Sequence, residues 1–208
     1  MKKISLYLVV LLISSCYNPF FPETGTPSSG SRVSLDSPYN TISALEECYE
    51  NKDIAFFRDS LLLKNSPVNS TDQFRYYIQY KNSAELSLEN ISKIVDLDRD
   101  YIPKGEYLYI EYSSEVNLHR NLFDSKNEIV FLEPLSISKI DYVFKDESKT
   151  DTTEAFVHTS DNSIRISSSV ILQNYGVRDI EFDVTEQIFH IYKGSDNQWR
   201  IFEWFELN

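Results

Sequence analysis

The stretch from Arg178 to Asn208 constrains this chain most, because it reads as one long antiparallel β-hairpin. In its first arm Ile180, Phe182 and Val184 alternate with Asp179, Glu181 and Asp183, a period of two. From Ile188 to Tyr192 the polar gaps close, as in a strand covered on both faces. Gly194-Ser195-Asp196-Asn197 supplies turn residues, and the return arm Trp199–Leu207 carries both tryptophans of the chain. Aromatic residues bury large areas and pair well across strands, so the hairpin is the expected spine of a curved sheet.

A turn centred on Ser195-Asp196 places Tyr192 opposite Trp199, His190 opposite Ile201, Ile188 opposite Glu203 and Glu186 opposite Phe205. Opposed residues share a face, so Glu186, His190 and Glu203 gather among Val184, Ile188, Ile201 and Phe205. Polar groups on an apolar face must find partners or line a cavity, which makes these three the candidate ligand-binding residues. An exposed patch or a self-satisfied ion pair is the competing reading. A loop longer or shorter by one residue would move one arm to the other face and dissolve the cluster.

The N-terminus reads as an address. Lys2 and Lys3 precede a short apolar run, Leu6 to Ile13, too short for a permanent bilayer-spanning helix. Ile13-Ser14-Ser15-Cys16 then resembles a bacterial lipobox, which implies cleavage of residues 1–15 and lipidation of Cys16. Several acyl chains on that residue would give stable anchoring where one would not. An ordinary secretory signal ending in a chance cysteine is the alternative. Tyr17, rather than Asp, follows the cysteine, and likeness to known lipoproteins then implies the outer membrane where the cell has one. The protein is expected in the cell envelope, with the membrane as partner through its lipid.

Residues 16–36 are expected to form a tether, since Pro19, Pro22, Gly25, Pro27, Gly30 and scattered serines build no packed element. Fully extended, such a segment reaches roughly 60 Å. The formal net charge is −12, and it grows more negative once the two signal lysines are gone. A surface this acidic repels nucleic acid and anionic headgroups and argues against both as partners. With Cys16 lipidated, Cys48 has no intramolecular partner, and its helical register marks a buried, inert thiol.

Residues 37–208 read as one α+β domain. Ser37 caps a helix with Pro38 at its first position, followed by Tyr39, Ile42, Leu45 and Tyr49 at spacings of three and four. Asp53 caps a second helix through Ile54, Phe56, Phe57 and Leu61. Phe74–Tyr80 and Glu106–Tyr112 look like strands, Leu88 to Val95 suggests a short helix, and Glu115–Phe123 fits another with Val116, His119, Leu122 and Phe123 on one side. Strands are expected at about 129–133, 137–146, 153–158, 163–174, 179–193 and 199–207. Helices followed by long antiparallel strands imply helices on one face of a bent sheet.

Ser37-Pro38-Tyr39 through Phe57-Arg58-Asp59-Ser60-Leu61 resembles the opening helices of the NTF2-like (SnoaL-like, cystatin-like) superfamily. Trp199-Arg200-Ile201 is similar to its closing strand, and Tyr112 to Phe123 to the internal helix of NTF2-like bacterial lipoproteins. The resemblance implies a curved antiparallel sheet wrapped around N-terminal helices in a cone, a cavity inside, and homodimerisation through the sheet. Asn82 to Lys104 resembles an insertion. The fold hosts isomerases, dehydratases and non-catalytic binding modules, so function has to come from the site.

Three histidines, His119, His158 and His190, lie far apart in sequence, with no HExxH or CxxC, so no metal site is expected. Five glycines provide no phosphate cradle, and no cofactor is expected. Ser136-Ile137-Ser138-Lys139, Ser160-Asp161-Asn162 and Ser195-Asp196-Asn197 imitate penicillin-binding motifs, but the first lies in a strand pattern and no KTG follows. Two functions stay open. One is a lipid-anchored, non-catalytic module that binds a small apolar ligand or an envelope protein. The other is a cofactor-independent lyase or isomerase working in the cone. A buried acid–base pair in the cavity favours the second, and a cavity filled by aromatic side chains favours the first.

Overall fold

The computed structural model describes residues 33–67, 73–79, 94–96, 100–124, 126–144, 152–160, 162–168 and 179–207. Cys16 and the signal lie outside the described residues. Helix α1 is Pro38–Asn51, capped where the sequence implied: the Ser37 hydroxyl accepts the Asn40 N–H at 3.2 Å. It ends at Lys52, whose positive φ of 54° turns its N–H back to the last-turn carbonyls. Asp53 caps the short α2, Ile54–Phe56, which runs on into a wide turn over Phe57–Leu61 closed by Leu62 N–H on the Phe57 carbonyl. Helix α3 is Tyr112–Leu122, and the Tyr112 hydroxyl ties its start to that turn by donating to the Arg58 carbonyl at 2.8 Å.

Among the described residues, ten strands form two sheets. In chain order they are β1 Arg75–Gln79, β2 Ile94–Asp96, β3 Glu106–Glu111, β4 Asn127–Glu133, β5 Ile137–Val143, β6 Glu154–Thr159, β7 Asn162–Ser168, β8 Asp179–Val184, β9 Glu186–Lys193 and β10 Trp199–Leu207. Seven of them run in the order β2-β3-β1-β10-β9-β6-β5, and the other three as β4-β7-β8. Every pairing is antiparallel except β1 with β10, which lie far apart in sequence and are free of any hairpin constraint.

Two local expectations change. Ile94 and Val95 do not extend a helix, because their backbone pairs with β3 and tertiary pairing overrides local pattern; Leu88 and Ile91 lie outside the described residues. The first arm of the C-terminal hairpin is two strands, broken at Thr185, with β8 in the small sheet and β9 in the large one. The change from alternating to continuous apolar residues falls at that transfer. Residues 187–192 of β9 are all buried, as befits a strand covered on both faces.

Each face of the large sheet carries its own core. On one, Phe189, Ile191, Trp199, Ile201 and Trp204 pack with Ile42, Leu45, Phe57 and Val116 of the helices. On the other, Tyr77, Tyr107, Tyr109, Phe156, Ile188 and Phe205 pack together. Cys48 is buried on the helix side and forms no disulfide among the described residues. The packed unit begins at Val33, ahead of the expected boundary. Leu35 is buried at 3 % exposure and its carbonyl accepts the Trp199 N–H at 2.7 Å.

Candidate functional site

The sequence-derived cluster meets in part. The hairpin turn is one residue longer than expected, with Lys193 rather than Tyr192 opposite Trp199, so Ile201 joins the helix-facing side opposite Ile191. A bulge at Phe202 then shifts the register again and returns Glu203 to the face of His190, directly opposite it. Two one-residue irregularities therefore cancel at Glu203. His190 Nδ1 lies 2.7 Å from Glu203 Oε2, and its Nε2 lies 2.8 Å from Glu154 Oε1. Phe156 stacks on the imidazole at 4.3 Å, and the Tyr77 hydroxyl donates to the other Glu203 oxygen at 3.3 Å.

Glu186 does not join them. It pairs with Leu207 in register, and its carboxylate lies 3.5 Å from His158 Nδ1, while His158 Nε2 faces Asp141 at 3.2 Å. Val184 sits at the end of β8 in the other sheet. This outer face thus carries two histidines, each between two carboxylates. Burial alone lowers the His190 pKa; the hydrogen bonds to Glu154 and Glu203, with their charges, outweigh it and hold the ring above its ordinary value. His190, Glu154 and Glu203 satisfy one another, and none of the three lines the cavity on the helix-facing side.

The cavity lies on the helix-facing side, between the two sheets, with a volume of about 230 Å³. Leu45, Tyr49, Glu115, His119 and Leu122 of α1 and α3 form one wall. The large sheet contributes Tyr76, Gln187, Trp204 and Glu206. Phe131, Asn162, Ile164, Ile166 and Asp183 line it from the small sheet. Such a volume sits below the ~300–1,000 Å³ of drug-sized sites and fits a small molecule.

A buried relay crosses the helical wall. Glu115 and His119 stand four residues apart on α3, hence on one face, and α1 brings Tyr49 to them. His119 Nδ1 is 3.2 Å from the Glu115 carbonyl and 3.1 Å from its carboxylate oxygen Oε1. Nε2 is 2.6 Å from the Tyr49 hydroxyl. With Nδ1–H donated to the carbonyl one turn back, Nε2 accepts the phenol proton. The carboxylate lies off the N–H direction, so Glu115 Oε1 is near the ring without a hydrogen bond. Phe57, at the head of the wide turn, stacks under the imidazole at 4.1 Å.

Burial, followed by the charges of Glu115 and Glu206, holds the Tyr49 phenol well above its usual pKa. Tyr76 shifts the same way, through burial, the Glu206 charge, the Glu115 charge, and the hydrogen bond it donates to Glu206. Both phenols are therefore proton donors at neutral pH. Glu115 is 1 % exposed, Asn162 2 %, Gln187 4 % and Trp204 5 %. Five side-chain atoms of these four residues make no hydrogen bond within the protein: Glu115 Oε1, both amide atoms of Asn162, Gln187 Oε1 and Trp204 Nε1. Among the described residues only one other buried side-chain atom, His158 Nε2, shares that condition. Unmet polar atoms thus concentrate around the cavity.

The sequence reading placed Tyr49 and His119 on packing stripes and set Asn162 aside within a chance motif. The one available signal was the Glu115–His119 spacing, which puts a carboxylate beside an imidazole on a helix. Among the described residues no cluster of His, Cys, Asp and Glu is arranged to hold a metal ion.

No protein-family model and no curated protein matches the sequence. Among solved structures, the chain is similar to an NTF2-like superfamily protein from Salmonella enterica, at 10 % identity and a TM-score of 0.46, over 84 % of this chain and 90 % of that one. It is also similar to a ketosteroid isomerase-like protein from Erwinia carotovora, at 9 % identity and a TM-score of 0.44, over 84 % of this chain and 96 % of that one. A third is naphthalene 1,2-dioxygenase with indole bound, at 7 % identity and a TM-score of 0.47, over 85 % of this chain and 79 % of that one.

Proposed function

We propose that this is a lipid-anchored cell-envelope protein whose domain binds a small, largely apolar molecule in the cavity between its sheets. One observation carries the reading: five buried, unpartnered polar atoms belong to residues around a single cavity with aromatic and aliphatic walls. Leaving such atoms unmet costs about 1–3 kcal/mol each, so folding alone gives no reason to gather them. Their residues line the cavity, so a small turn of each side chain brings them to a ligand, which then gains affinity from groups the fold leaves unpaired.

Benzyl alcohol, which combines a small ring with one polar head, is a suitable probe. Saturation-transfer NMR should show it binding the wild-type protein, and Ile164→Trp, which fills the cavity from the small sheet, should abolish the signal. Equal signals from a folded filled variant and the wild type overturn the reading.

The Tyr49–His119–Glu115 relay favours a second reading, proton-transfer catalysis by an isomerase or lyase. A phenol whose proton points at an imidazole can take a substrate α-proton on its oxygen while passing its own to His119 Nε2, the general-base step an enolising isomerase needs. Exchange of the α-hydrogens of cyclohexanone into deuterated water tests it. Catalysed exchange that His119→Ala removes establishes the chemistry, whereas binding of benzyl alcohol without exchange leaves a non-catalytic module.

A further inference from the structure

We propose that the cavity is selective for a small organic cation, an aromatic or alkyl amine whose ammonium head meets Glu115 and whose body lies against Tyr49, Tyr76 and Trp204. The proposal rests on the ligand-binding reading above and adds the charge and chemical class of the ligand.

The balance of donors and acceptors points to it. Three of the five unmet atoms are acceptors, on Glu115, Asn162 and Gln187, and an ammonium offers three donors and no acceptor. The donors left over, on Trp204 and the Asn162 amide, are neutral. Among the described residues no lysine or arginine lines the cavity, while Glu115, Asp183 and Glu206 do. A carboxylate or phosphate ligand would therefore enter a site with three acidic side chains and no lysine or arginine to receive it.

The Glu115 carboxylate is nearly inaccessible to water, and a buried carboxylate is costly without a paired charge. His119 supplies nearness but no aligned hydrogen bond to Oε1. A ligand ammonium supplies the missing bond once the carboxylate turns toward the cavity that Glu115 lines. The walls suit the same ligand, since the faces of Tyr, Trp and Phe attract cations and Tyr49, Tyr76, Phe131 and Trp204 all line the space. The net charge of −12 raises the local concentration of cations around the molecule.

Benzylamine, benzyl alcohol and benzoate share a ring and differ in the charge of the head, so calorimetric titration of the full-length protein at pH 7 isolates that charge. Benzylamine should bind at least about tenfold more tightly than benzyl alcohol, because a charge-assisted hydrogen bond replaces a neutral one. Benzoate should bind more weakly than either. Glu115→Gln should erase the preference for the amine while retaining the alcohol, with thermal unfolding as the control for folding. Should that variant not fold, Gln187→Leu removes a second acceptor and should also lower the amine-to-alcohol ratio. Benzoate binding as tightly as benzylamine, or a ratio unchanged in folded Glu115→Gln, overturns the proposal. Alcohol and amine binding equally, with both lost in Ile164→Trp, leaves the ligand-binding reading standing and removes only the charge. Binding by none of the three removes both.

Discussion

His190 and Glu203 face each other across β9 and β10, 2.7 Å apart, although a regular strand after Ile201 would have put Glu203 opposite Phe189 on the helix side. The extra residue is Phe202, whose ring settles beside His190 and Tyr192 at 6.1 and 5.6 Å. The bulge separates two tasks along one strand. Before it, Trp199 and Ile201 serve the helix-facing core; after it, Trp204 serves that core while Glu203 and Phe205 serve the outer one. An ion pair is thereby built into the outer face of the large sheet, opposite the helix-facing core.

That pair makes stability depend on pH. The folded His190 pKa lies above the ordinary 6.5, because the hydrogen bonds to Glu154 and Glu203 outweigh burial. A raised pKa means that the folded state holds the proton more tightly than the unfolded chain. The stabilisation is full below about pH 6.5 and is lost as pH rises through the folded value. His190→Gln should therefore destabilise by about 3 kcal/mol at pH 6, where it also strands two carboxylates, and by clearly less at pH 9. Urea unfolding of both proteins at the two pH values measures the difference. An equal penalty at both would mean that the ring is uncharged in the fold.

Much of this fold was legible because caps and periodicity are local. Ser37-Pro38 and Asp53 begin helices where their chemistry says, and the return arm of the hairpin spans Trp199–Leu207 as its aromatics implied. The wide turn at Phe57 and the bulge at Phe202 were not legible, since no residue there departs from ordinary helix or strand usage. His190 and Glu203 were brought together by a register argument wrong in two steps that cancel. The cavity was hidden for another reason. Tyr49, His119, Asn162, Gln187 and Trp204 come from five separate elements, and no local pattern joins them until the sheets close around them.

The domain edge also lies where local composition does not mark it. Val33 and Leu35 follow a serine- and glycine-rich stretch, yet Leu35 is buried and the Val33 N–H donates to Glu47 at 3.2 Å. Burial of one leucine side chain with one or two hydrogen bonds is worth about 2–4 kcal/mol. A protein beginning at Val33 should exceed one beginning at Ser37 by that amount in denaturant unfolding. Identical midpoints would return residues 33–36 to the tether.

The proposed lipid anchor rests on Ile13-Ser14-Ser15-Cys16 alone. Replacing Cys16 with Ala should move the protein from the detergent-extracted membrane fraction to the soluble one, or leave it as unprocessed precursor. Loss of every acyl chain removes the only strong membrane attachment the sequence suggests, since among the described residues no helix is long and apolar enough to cross a bilayer. A variant that is fully processed and still fractionates with membranes would refute the lipid anchor.

Residues kept for binding should weigh against stability, and Asn162 offers the sharpest case. Its side chain is buried, both amide atoms lack partners within the protein, and Ile164 and Leu45 line the same cavity. Asn162→Leu keeps the number and branching of side-chain heavy atoms, adds its extra volume beside the cavity and removes two unmet polar atoms. The unliganded protein should then gain about 1–2 kcal/mol, seen as a higher Tm, because the amide no longer gives up its solvation on folding. The same variant should bind benzylamine more weakly, as the leucine offers no acceptor. A packing residue behaves oppositely: Ile164→Ala should lower the Tm by opening the cavity wall further. If Asn162→Leu instead destabilises, the amide is satisfied by water in the folded protein, and its cost to the unliganded state has already been met.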